Sequence, residues 1–386
     1  MQPSAVDSMD KYNENLTDVK EIFRKGDLRA IPKPLLKWYD NNRRILPWRE
    51  DPAPYRIWVS EIMLQQTRVE AVKPYFQRFM ETLPDIAALA QAPEEVLLKL
   101  WEGLGYYNRV RNLQKAAIQI MEDYGGVMPD SYEELLKLKG IGSYTVSSIA
   151  YGKPNPAVDG NVLRVIARVR KDERCISEDK VKKAVEKDLW EVIPTDRPGD
   201  FNQAMMEIGA CVCIPNGAPH CEECPLQQIC LANADGTQLQ YPNKAKAKER
   251  TVEEKTILII RDAELAALHK RPAKGLLAGM YEFPSMKGYH TAEEVKEYLA
   301  ENGLQVLRIQ PLEDAKHIFS HREWHMKGYL IRVDELAPKR EGPDSADWIY
   351  IEPSETREKY PIPSAFAVYA KGLNMKLGAR ENDPGQ

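Results

Sequence analysis

Residues 138–142 read Leu-Lys-Gly-Ile-Gly, and residues 158–162 read Val-Asp-Gly-Asn-Val. The first stretch joins two segments whose apolar spacing predicts helices, and Gly140 and Gly142 permit the positive φ angles of a tight turn. The helix predicted after this turn would present free backbone N–H groups, which suit a phosphate. The second stretch begins another helix, with Asp159 at the position of an N-terminal cap. We therefore predict two helices joined by a tight hairpin, then a loop and a capped helix.

Helical periodicity extends over residues 28–240, so this region is predicted to be mainly α. Ser131 precedes one helix and has Glu134 three residues later, which is the spacing of a capping box. Asp200 is predicted to cap a further helix that runs through Ala210.

The composition changes after residue 240. Residues 241–254 are polar and rich in lysine, which is typical of a linker. The predicted fold class is a mainly α region followed by a smaller α+β domain. Its predicted strands are 256–260, 305–309, 329–333 and 348–351, with a helix from Thr291 capped by Glu294 and a last helix from about Ser364. The predicted domain boundaries are 1–27 for an N-terminal extension, 28–240 for the helical domain, 241–254 for a basic linker, 255–375 for the second domain and 376–386 for a tail.

The composition is that of a globular protein with room for two domains, since the 386 residues are 43% hydrophobic and 29% charged. No apolar run approaches the ~20 residues of a transmembrane helix, and the polar start at 1–14 is unlike a signal peptide. We therefore expect a cytoplasmic monomer with no membrane partner, associated with the nucleoid through DNA if it binds DNA. The net charge of −4 is a mild argument against nucleic-acid binding, although arginines cluster locally.

Four of the six cysteines fall within eighteen residues, as Cys213-x7-Cys221-x2-Cys224-x5-Cys230. A reducing compartment does not preserve structural disulfides, so such a cluster indicates a metal site. Thiolate ligands suit zinc or iron–sulfur, and spacing alone does not separate the two. Structural zinc sites usually have two Cys-x2-Cys pairs, whereas this segment has one.

The hairpin, the aspartate and the cysteine segment together resemble adenine DNA glycosylases of the endonuclease III superfamily, over nearly the whole chain. The resemblance implies a helix–hairpin–helix glycosylase with a six-helix barrel, an iron–sulfur helical domain and a Nudix-like C-terminal domain. It also implies that Cys213, Cys221, Cys224 and Cys230 hold a 4Fe–4S cluster. The first gap between these cysteines is one residue longer than is commonest in the family, which leaves Cys211 as an alternative first ligand; we favour Cys213.

The same resemblance implies an enzyme that excises adenine mispaired with 8-oxoguanine or guanine in duplex DNA. Residues 58–67 (Trp-Val-Ser-Glu-Ile-Met-Leu-Gln-Gln-Thr) match the family signature and place Glu61 as the acid. Adenine leaves poorly as an anion, so an acid must protonate it while a second carboxylate faces the cationic sugar, as in glycoside hydrolysis. The resemblance assigns that second role, stabiliser or transient nucleophile, to Asp159. Tyr144 and Asn161 would orient Asp159 or its water.

Several residues are expected to contact DNA. The stretch 101–109 (Trp-Glu-Gly-Leu-Gly-Tyr-Tyr-Asn-Arg) resembles the segment whose first tyrosine, here Tyr106, inserts beside the damaged guanine. The glutamine matching Gln66 fills the space left by the extruded adenine, which offsets part of the cost of base flipping. Superfamily members that also cut the strand have a lysine where this chain has Tyr144, so a monofunctional enzyme is implied. The full set of expected DNA contacts is Arg49, Gln66, Tyr106, Gly140, Gly142, Phe319, Ser320 and His321.

The C-terminal region resembles the Nudix-like domain of these glycosylases at residues 275–284 and 317–321. In the family, the Phe-Ser-His segment reads 8-oxoguanine, which assigns this role to Phe319, Ser320 and His321. The stretch from Gly279 to Gly303 lacks the glutamate-rich run with which Nudix hydrolases hold magnesium. Nucleotide hydrolysis is therefore not expected.

One departure from the family lies between Gly142 and Asp159, where this chain is about three residues shorter. Such a deletion shifts later side chains by ~4.5 Å along a helix unless the loop at 153–156 absorbs it. The shortening suggests one alternative, a catalytically impaired, cluster-bearing DNA-binding relative. A second alternative, independent of the shortening, is a superfamily glycosylase for another base such as thymine or uracil. Glu61 and the second domain argue against the glycosylase for another base.

Overall fold

The computed structural model describes residues 25–149, 153–246, 249–336, 347–373 and 375. Most of the predicted N-terminal extension and the whole predicted tail lie outside these residues. The chain divides into two compact units. One combines the residues up to Ile62 with Glu122–Lys246, and the other combines Met63–Met121 with the residues from Ala247 onward. No helix among the described residues has the length and apolar character that a membrane span requires.

Helices dominate the chain before residue 240, as the periodicity predicts. In chain order the α-helices are α1 (Pro32–Asn42), α2 (Pro47–Glu50), α3 (Pro54–Leu64), α4 (Val69–Thr82), α5 (Ile86–Gln91), α6 (Glu94–Leu100), α7 (Asn108–Tyr124), α8 (Tyr132–Lys137), α9 (Ser143–Ile149), α10 (Gly160–Arg170), α11 (Asp179–Trp190), α12 (Pro198–Cys211), α13 (Leu231–Ala234), α14 (Ala292–Glu301) and α15 (Ala367–Ala370). The strands are β1 (Thr251–Arg261), β2 (Ala266–Lys270), β3 (Tyr281–Glu282), β4 (Ser285–Lys287), β5 (Val306–Ile318), β6 (Arg322–Val333) and β7 (Trp348–Ile351).

The predicted hairpin is present between α8 and α9. Gly140 has φ +77°, a region that an L side chain enters only at a cost. The prediction that Gly142 also permits a positive φ is not needed by the fold, because Gly142 lies outside the left-handed region. A Cβ added at Gly142 would meet no atom within 4 Å. Gly140 therefore shapes the turn, while Gly142 leaves the backbone uncovered at the start of α9.

Two predicted caps have different outcomes. The side chain of Ser131 accepts a hydrogen bond from the backbone N–H of Glu134 at 3.1 Å, which confirms Ser131 as the N-cap. The carboxylate of Glu134, predicted to complete a capping box, instead accepts from Tyr124 and Lys137. Asp200 was predicted to cap a helix, but α12 begins two residues earlier, at Pro198. Proline has the φ angle of a first helical residue, which explains the earlier start. Asp200 instead lies in the first turn and pairs with Arg197 at 2.8 Å.

The core of the first unit forms where α1, α10 and α12 meet. Each of these helices buries residues three or four apart, so that one apolar stripe faces its neighbours. The buried side chains of these stripes are Leu35 and Tyr39 of α1, Val162, Val165, Ile166 and Val169 of α10, and Phe201, Ala204, Met205 and Ile208 of α12.

The second unit contains a mixed sheet. Among the described residues its order is β3-β2-β1-β6-β5, with β4 paired to β1 and β7 paired to β2. Strands β1 and β6 run parallel, from the pair Thr251–Arg322 to the pair Arg261–Arg332. The predicted linker was therefore too long, because β1 begins at Thr251. Its first residues are polar and largely exposed although they pair with β6, so their composition gave no strand signal.

Both faces of the sheet are covered. Ile257 and Ile259 of β1 pack with Phe366 and Tyr369 on one face. Leu258 and Ile260, which alternate with these two residues along β1, pack on the other face against α14. Strands buried on both faces are continuously apolar, as residues 257–260 are. The helix predicted from Ser364 is present as a short 3-10 turn at Ser364–Phe366 followed by α15.

Candidate active site and metal-binding loop

Glu61 is a buried acid on the otherwise largely apolar helix α3, and it is 3% exposed. The hydroxyl of Tyr144 donates a hydrogen bond to Glu61 Oε2 at 2.8 Å. Burial raises the pKa of Glu61, and the nearby negative charge of Asp159 raises it further, against the lowering effect of Tyr144, Gln203 and Arg49. The site therefore favours the protonated acid.

Asp159 caps α10 and is partly buried. Its Oδ1 accepts from the backbone N–H groups of Asn161 at 2.9 Å and Val162 at 2.8 Å. Its Oδ2 accepts from the side-chain amide of Asn161 at 2.9 Å. Burial raises the pKa of Asp159, while these three donors and the charge of Arg164 oppose that shift. The residue is thus a helix cap whose carboxylate also acts electrostatically on Glu61.

Tyr144 is expected to orient Asp159 or its water, and the structure shows it in contact with Glu61. Besides its hydrogen bond to Glu61, the hydroxyl lies 2.8 Å from Met206 Sδ. Tyr144 is in the first turn of α9, directly after the hairpin. The structure therefore brings the hairpin helix to the candidate acid. Asn161 contacts Asp159, in the place that the sequence assigned to it.

A buried ionic network adjoins Glu61. Glu207 of α12 is 1% exposed and pairs with Arg44 at 2.6 Å and with Arg49 at 2.9 Å. Burial opposes the charge on Glu207, but hydrogen bonds and charges of the two arginines outweigh it and lower its pKa. Arg49 also donates to Gln203 Oε1 at 2.8 Å, which leaves the amide nitrogen of Gln203 to donate to Glu61.

The network opens into a cleft of about 530 Å³, within the size range of small-molecule sites. Glu61 and Gln203 form part of its wall, together with Arg44 and Arg49, whereas Asp159 is not among the described residues that line it. Arg49, expected as a DNA contact, is thus a partly buried wall residue of this cleft. The acid is accessible from a cavity that could receive a base.

The shortened segment before Asp159 contains residues 150–152, which lie outside the described residues. The loop that follows it is anchored to α12 by Asn202, a buried side chain. Asn202 Oδ1 accepts from the backbone N–H of Ala157 at 2.9 Å, and its amide donates to the carbonyl of Asn155 at 2.7 Å. These two hydrogen bonds fix the loop before Asp159, whose negative charge contributes to raising the pKa of Glu61.

Gln66 and Tyr106, the two residues expected at the flipped base, share an uncommon backbone conformation. Their φ angles are +58° and +50°, and Tyr106 is 50% exposed. Non-glycine residues persist in this region where the surroundings hold them, often at functional sites. Arg109 supplies part of that support, since it donates to the carbonyls of Gln65 at 2.6 Å and Gly105 at 3.1 Å. Burial lowers the pKa of Arg109 to about 10, so it stays charged at neutral pH.

The segment Phe319–His321 forms the turn between β5 and β6. Ser320 and His321 are exposed, and Ser320 Oγ lies 2.8 Å from the hydroxyl of Tyr106. Phe319 instead packs edge-on against Trp324, with 4.8 Å between ring centroids. The structure therefore brings Tyr106 into contact with Ser320, while Phe319 stabilises the turn by packing against Trp324.

The four clustered cysteines line one cavity in the first unit, with Arg168 and Gln238 between them. Arg168 donates to Cys213 Sγ at 3.2 Å, whereas Cys211 is exposed and lies outside this lining. Among the described residues, no three metal-binding side chains converge on a single ion position. Thiols arranged around a space suit a cluster of several irons.

Four contributors to the site were not predicted as such, namely Arg44, Arg109, Gln203 and Glu207. Arg44 and Arg109 lie in local clusters of basic residues, with Arg43 and Arg49 and with Arg111 and Lys115 respectively. Gln203 and Glu207 lie one helical turn apart on α12, between apolar residues. Polar residues at this spacing within an apolar run were the signal that could have identified them.

Comparison with known proteins identifies the family of this chain. Residues 59–195 match the HhH-GPD superfamily of base excision DNA repair proteins, and residues 256–371 match the NUDIX domain. An adenine DNA glycosylase of Mus musculus is 35% identical over 84% of this chain and 74% of its own length. Its counterpart in Buchnera aphidicola is 34% identical over 78% of this chain and 87% of its own length. A solved endonuclease III–DNA complex is 26% identical, with a TM-score of 0.47, over 55% of this chain and 97% of that chain.

Proposed function

We propose that this chain, which belongs to the adenine DNA glycosylase family, excises adenine that is mispaired with 8-oxoguanine or guanine in duplex DNA. A DNA glycosylase is a hydrolase of N-glycosyl bonds. The observation that supports the proposal most strongly is the buried Glu61, which adjoins a cleft and lies within electrostatic reach of Asp159.

In the proposed mechanism, Glu61 gives its proton to the departing adenine. Burial and the charge of Asp159 raise the pKa of Glu61, so the acid holds that proton near neutral pH. Burial raises the pKa of Asp159 as well, but its three hydrogen bonds and the charge of Arg164 oppose that rise and favour the ionised form. Two carboxyl groups in such different environments separate into an acid and a carboxylate. Asp159 then stabilises the positive charge on the sugar as the bond breaks.

Recognition of the base opposite adenine is assigned to the C-terminal domain. Ser320 and His321 are exposed on the turn between β5 and β6, and Ser320 contacts Tyr106. This contact supports a site at which Tyr106 enters the base stack while the turn reads 8-oxoguanine. Gln66 would fill the space of the extruded adenine. The strained backbone at Gln66 and Tyr106 supports these roles.

A 4Fe–4S cluster would be held by Cys213, Cys221, Cys224 and Cys230, whose thiols line one cavity. When bound, the cluster would order the loop around it rather than take part in bond breaking. Arg168 would contribute a hydrogen bond and positive charge beside the Cys213 sulfur.

A single-turnover assay on duplexes with adenine opposite 8-oxoguanine, guanine or thymine tests the proposal. We expect adenine release opposite 8-oxoguanine and guanine, with no strand cut until alkali is added, because Tyr144 provides no amine. Tight binding without release would favour the catalytically impaired relative. Release of another base in place of adenine would favour the alternative glycosylase.

A further inference from the structure

A buried pair of opposite charges lies at the base of the loop that carries Tyr106. Glu102 is 3% exposed, and Lys99, at the end of α6, is 16% exposed. Lys99 Nζ lies 2.6 Å from Glu102 Oε2. Charged side chains are seldom buried in this way unless they are paired and hydrogen-bonded.

Both members of the pair also bind the C-terminal part of the second unit. Glu102 Oε1 accepts from the backbone N–H of Ile362 at 2.6 Å. Lys99 donates to the carbonyl of Thr356, also at 2.6 Å. We call Lys99, Glu102 and their two backbone partners the clasp. The partners sit on the segment Pro353–Phe366, which pairs with β3 through the carbonyl of Pro361.

The clasp and Tyr106 occupy the two ends of one rigid loop. The carbonyl of Glu102 accepts from the hydroxyl of Tyr75 at 2.9 Å, and a Cβ at Gly103 would lie 2.3 Å from that hydroxyl. Gly103 has φ +99°, so glycine is required there on both counts. A loop held this closely transmits a displacement at Glu102 to Tyr106.

We propose that Lys99 and Glu102 are specificity-determining positioning residues, which fix the Tyr106 loop on the C-terminal domain so that Tyr106 and Ser320 meet at 8-oxoguanine. The inference rests on the proposed function. The loop contacts the C-terminal domain at its base through Glu102–Ile362 and at its tip through Tyr106–Ser320. Without the contact between Glu102 and Ile362, Tyr106 is no longer held at a fixed distance from Ser320. If Ser320 reads 8-oxoguanine, as proposed above, the loss of this contact should slow excision opposite 8-oxoguanine more than excision opposite guanine.

The test compares Glu102→Gln and the double variant Lys99→Met/Glu102→Gln with the parent. The double variant removes both charges, so no unpaired buried charge remains to prevent folding. Glu95→Gln is the matched control, since Glu95 pairs with Lys270 at 3.0 Å between the same two regions but on the exposed surface. The readout is the ratio of second-order rate constants for adenine release opposite 8-oxoguanine and opposite guanine.

We expect this ratio to fall by about tenfold in both clasp variants, with release opposite guanine within about twofold of the parent. The control should keep the parental ratio. An unchanged ratio in folded clasp variants, or an equal fall on both duplexes, would overturn the inference.

Hydrogen exchange of residues 353–366 gives a second readout that needs no activity. Exchange should be faster in the clasp variants and unchanged in Glu95→Gln, because the amide of Ile362 loses its charged acceptor. Unaltered exchange in the clasp variants also contradicts the inference. If the parent releases adenine from neither duplex while exchange responds as expected, the proposed function and the specificity role are both wrong, and only the structural contact of the clasp is retained.

Discussion

Asp159 accepts three hydrogen bonds as the cap of α10, and the same carboxylate is the proposed partner of the sugar cation. Asp159→Asn separates these two roles, because asparagine is an equally good helix cap. We expect the unfolding free energy to change by less than about 1 kcal/mol, while adenine release falls by at least about a hundredfold. Thermal unfolding and single-turnover kinetics measure the two effects. A variant that releases adenine at the parental rate would reduce Asp159 to a structural cap.

The hydrogen bond from Tyr144 stabilises the ionised form of Glu61, so its loss should raise the pKa of Glu61. An acid with a higher pKa keeps its proton to higher pH. The alkaline limb of the rate profile is therefore expected to move to higher pH in Tyr144→Phe. The acid limb, set by ionisation of Asp159, should move less.

The matched control for this pH profile is Tyr124→Phe, which removes a hydroxyl that contacts Glu134 in the same unit. Its profile should match that of the parent. An alkaline limb that moved downward in Tyr144→Phe, or moved equally in both variants, would contradict the assignment of Glu61 as the acid.

At the scale of elements, the hairpin between α8 and α9 contains two glycines with different requirements. Gly140→Ala forces a side chain into φ +77° and should destabilise the fold by about 1 kcal/mol. Gly142→Ala meets open space and should leave stability unchanged. If a DNA backbone approaches this turn, both variants should weaken duplex binding, measured by fluorescence anisotropy. If Gly142→Ala binds duplex DNA with the affinity of the parent, Gly142 is not a DNA contact.

The sequence predicted elements well where one local signal was sufficient. The capping box at Thr291 and Glu294 and the strand Trp348–Ile351 agree with the structure. Prediction was poorer where pairing with a distant segment decides the outcome. Strand β1 begins at Thr251 because it pairs with β6, a partner that its own polar residues do not reveal.

At the scale of the whole molecule, the cysteine cavity provides a test of the cofactor. We expect Cys213→Ser to lower the iron content and the visible absorbance of the purified protein, because Cys213 lines the cavity and receives the hydrogen bond of Arg168. Cys211→Ser is the matched control and should keep its iron, since Cys211 is exposed. If only the Cys211 variant loses iron, Cys211 and not Cys213 is the first ligand of the cluster.

The convergence of distant residues was only partly predictable. Glu61 and Asp159 were identified because motifs matched a family, and the structure places them within electrostatic reach. Glu102 and Ile362 are 260 residues apart in sequence, and neither the loop nor its partner carries a local pattern that predicts their hydrogen bond. Single buried polar contacts of this kind depend on tertiary packing, which periodicity and composition do not encode.

The most direct test of the central claim, that Glu61 protonates the departing adenine, is single-turnover release by Glu61→Gln from a duplex with adenine opposite 8-oxoguanine. Glutamine preserves size and hydrogen bonding but has no acidic proton. We expect release to fall by about a hundredfold or more, with duplex affinity and thermal stability retained. A Glu61→Gln variant that releases adenine at the rate of the parent would contradict the claim.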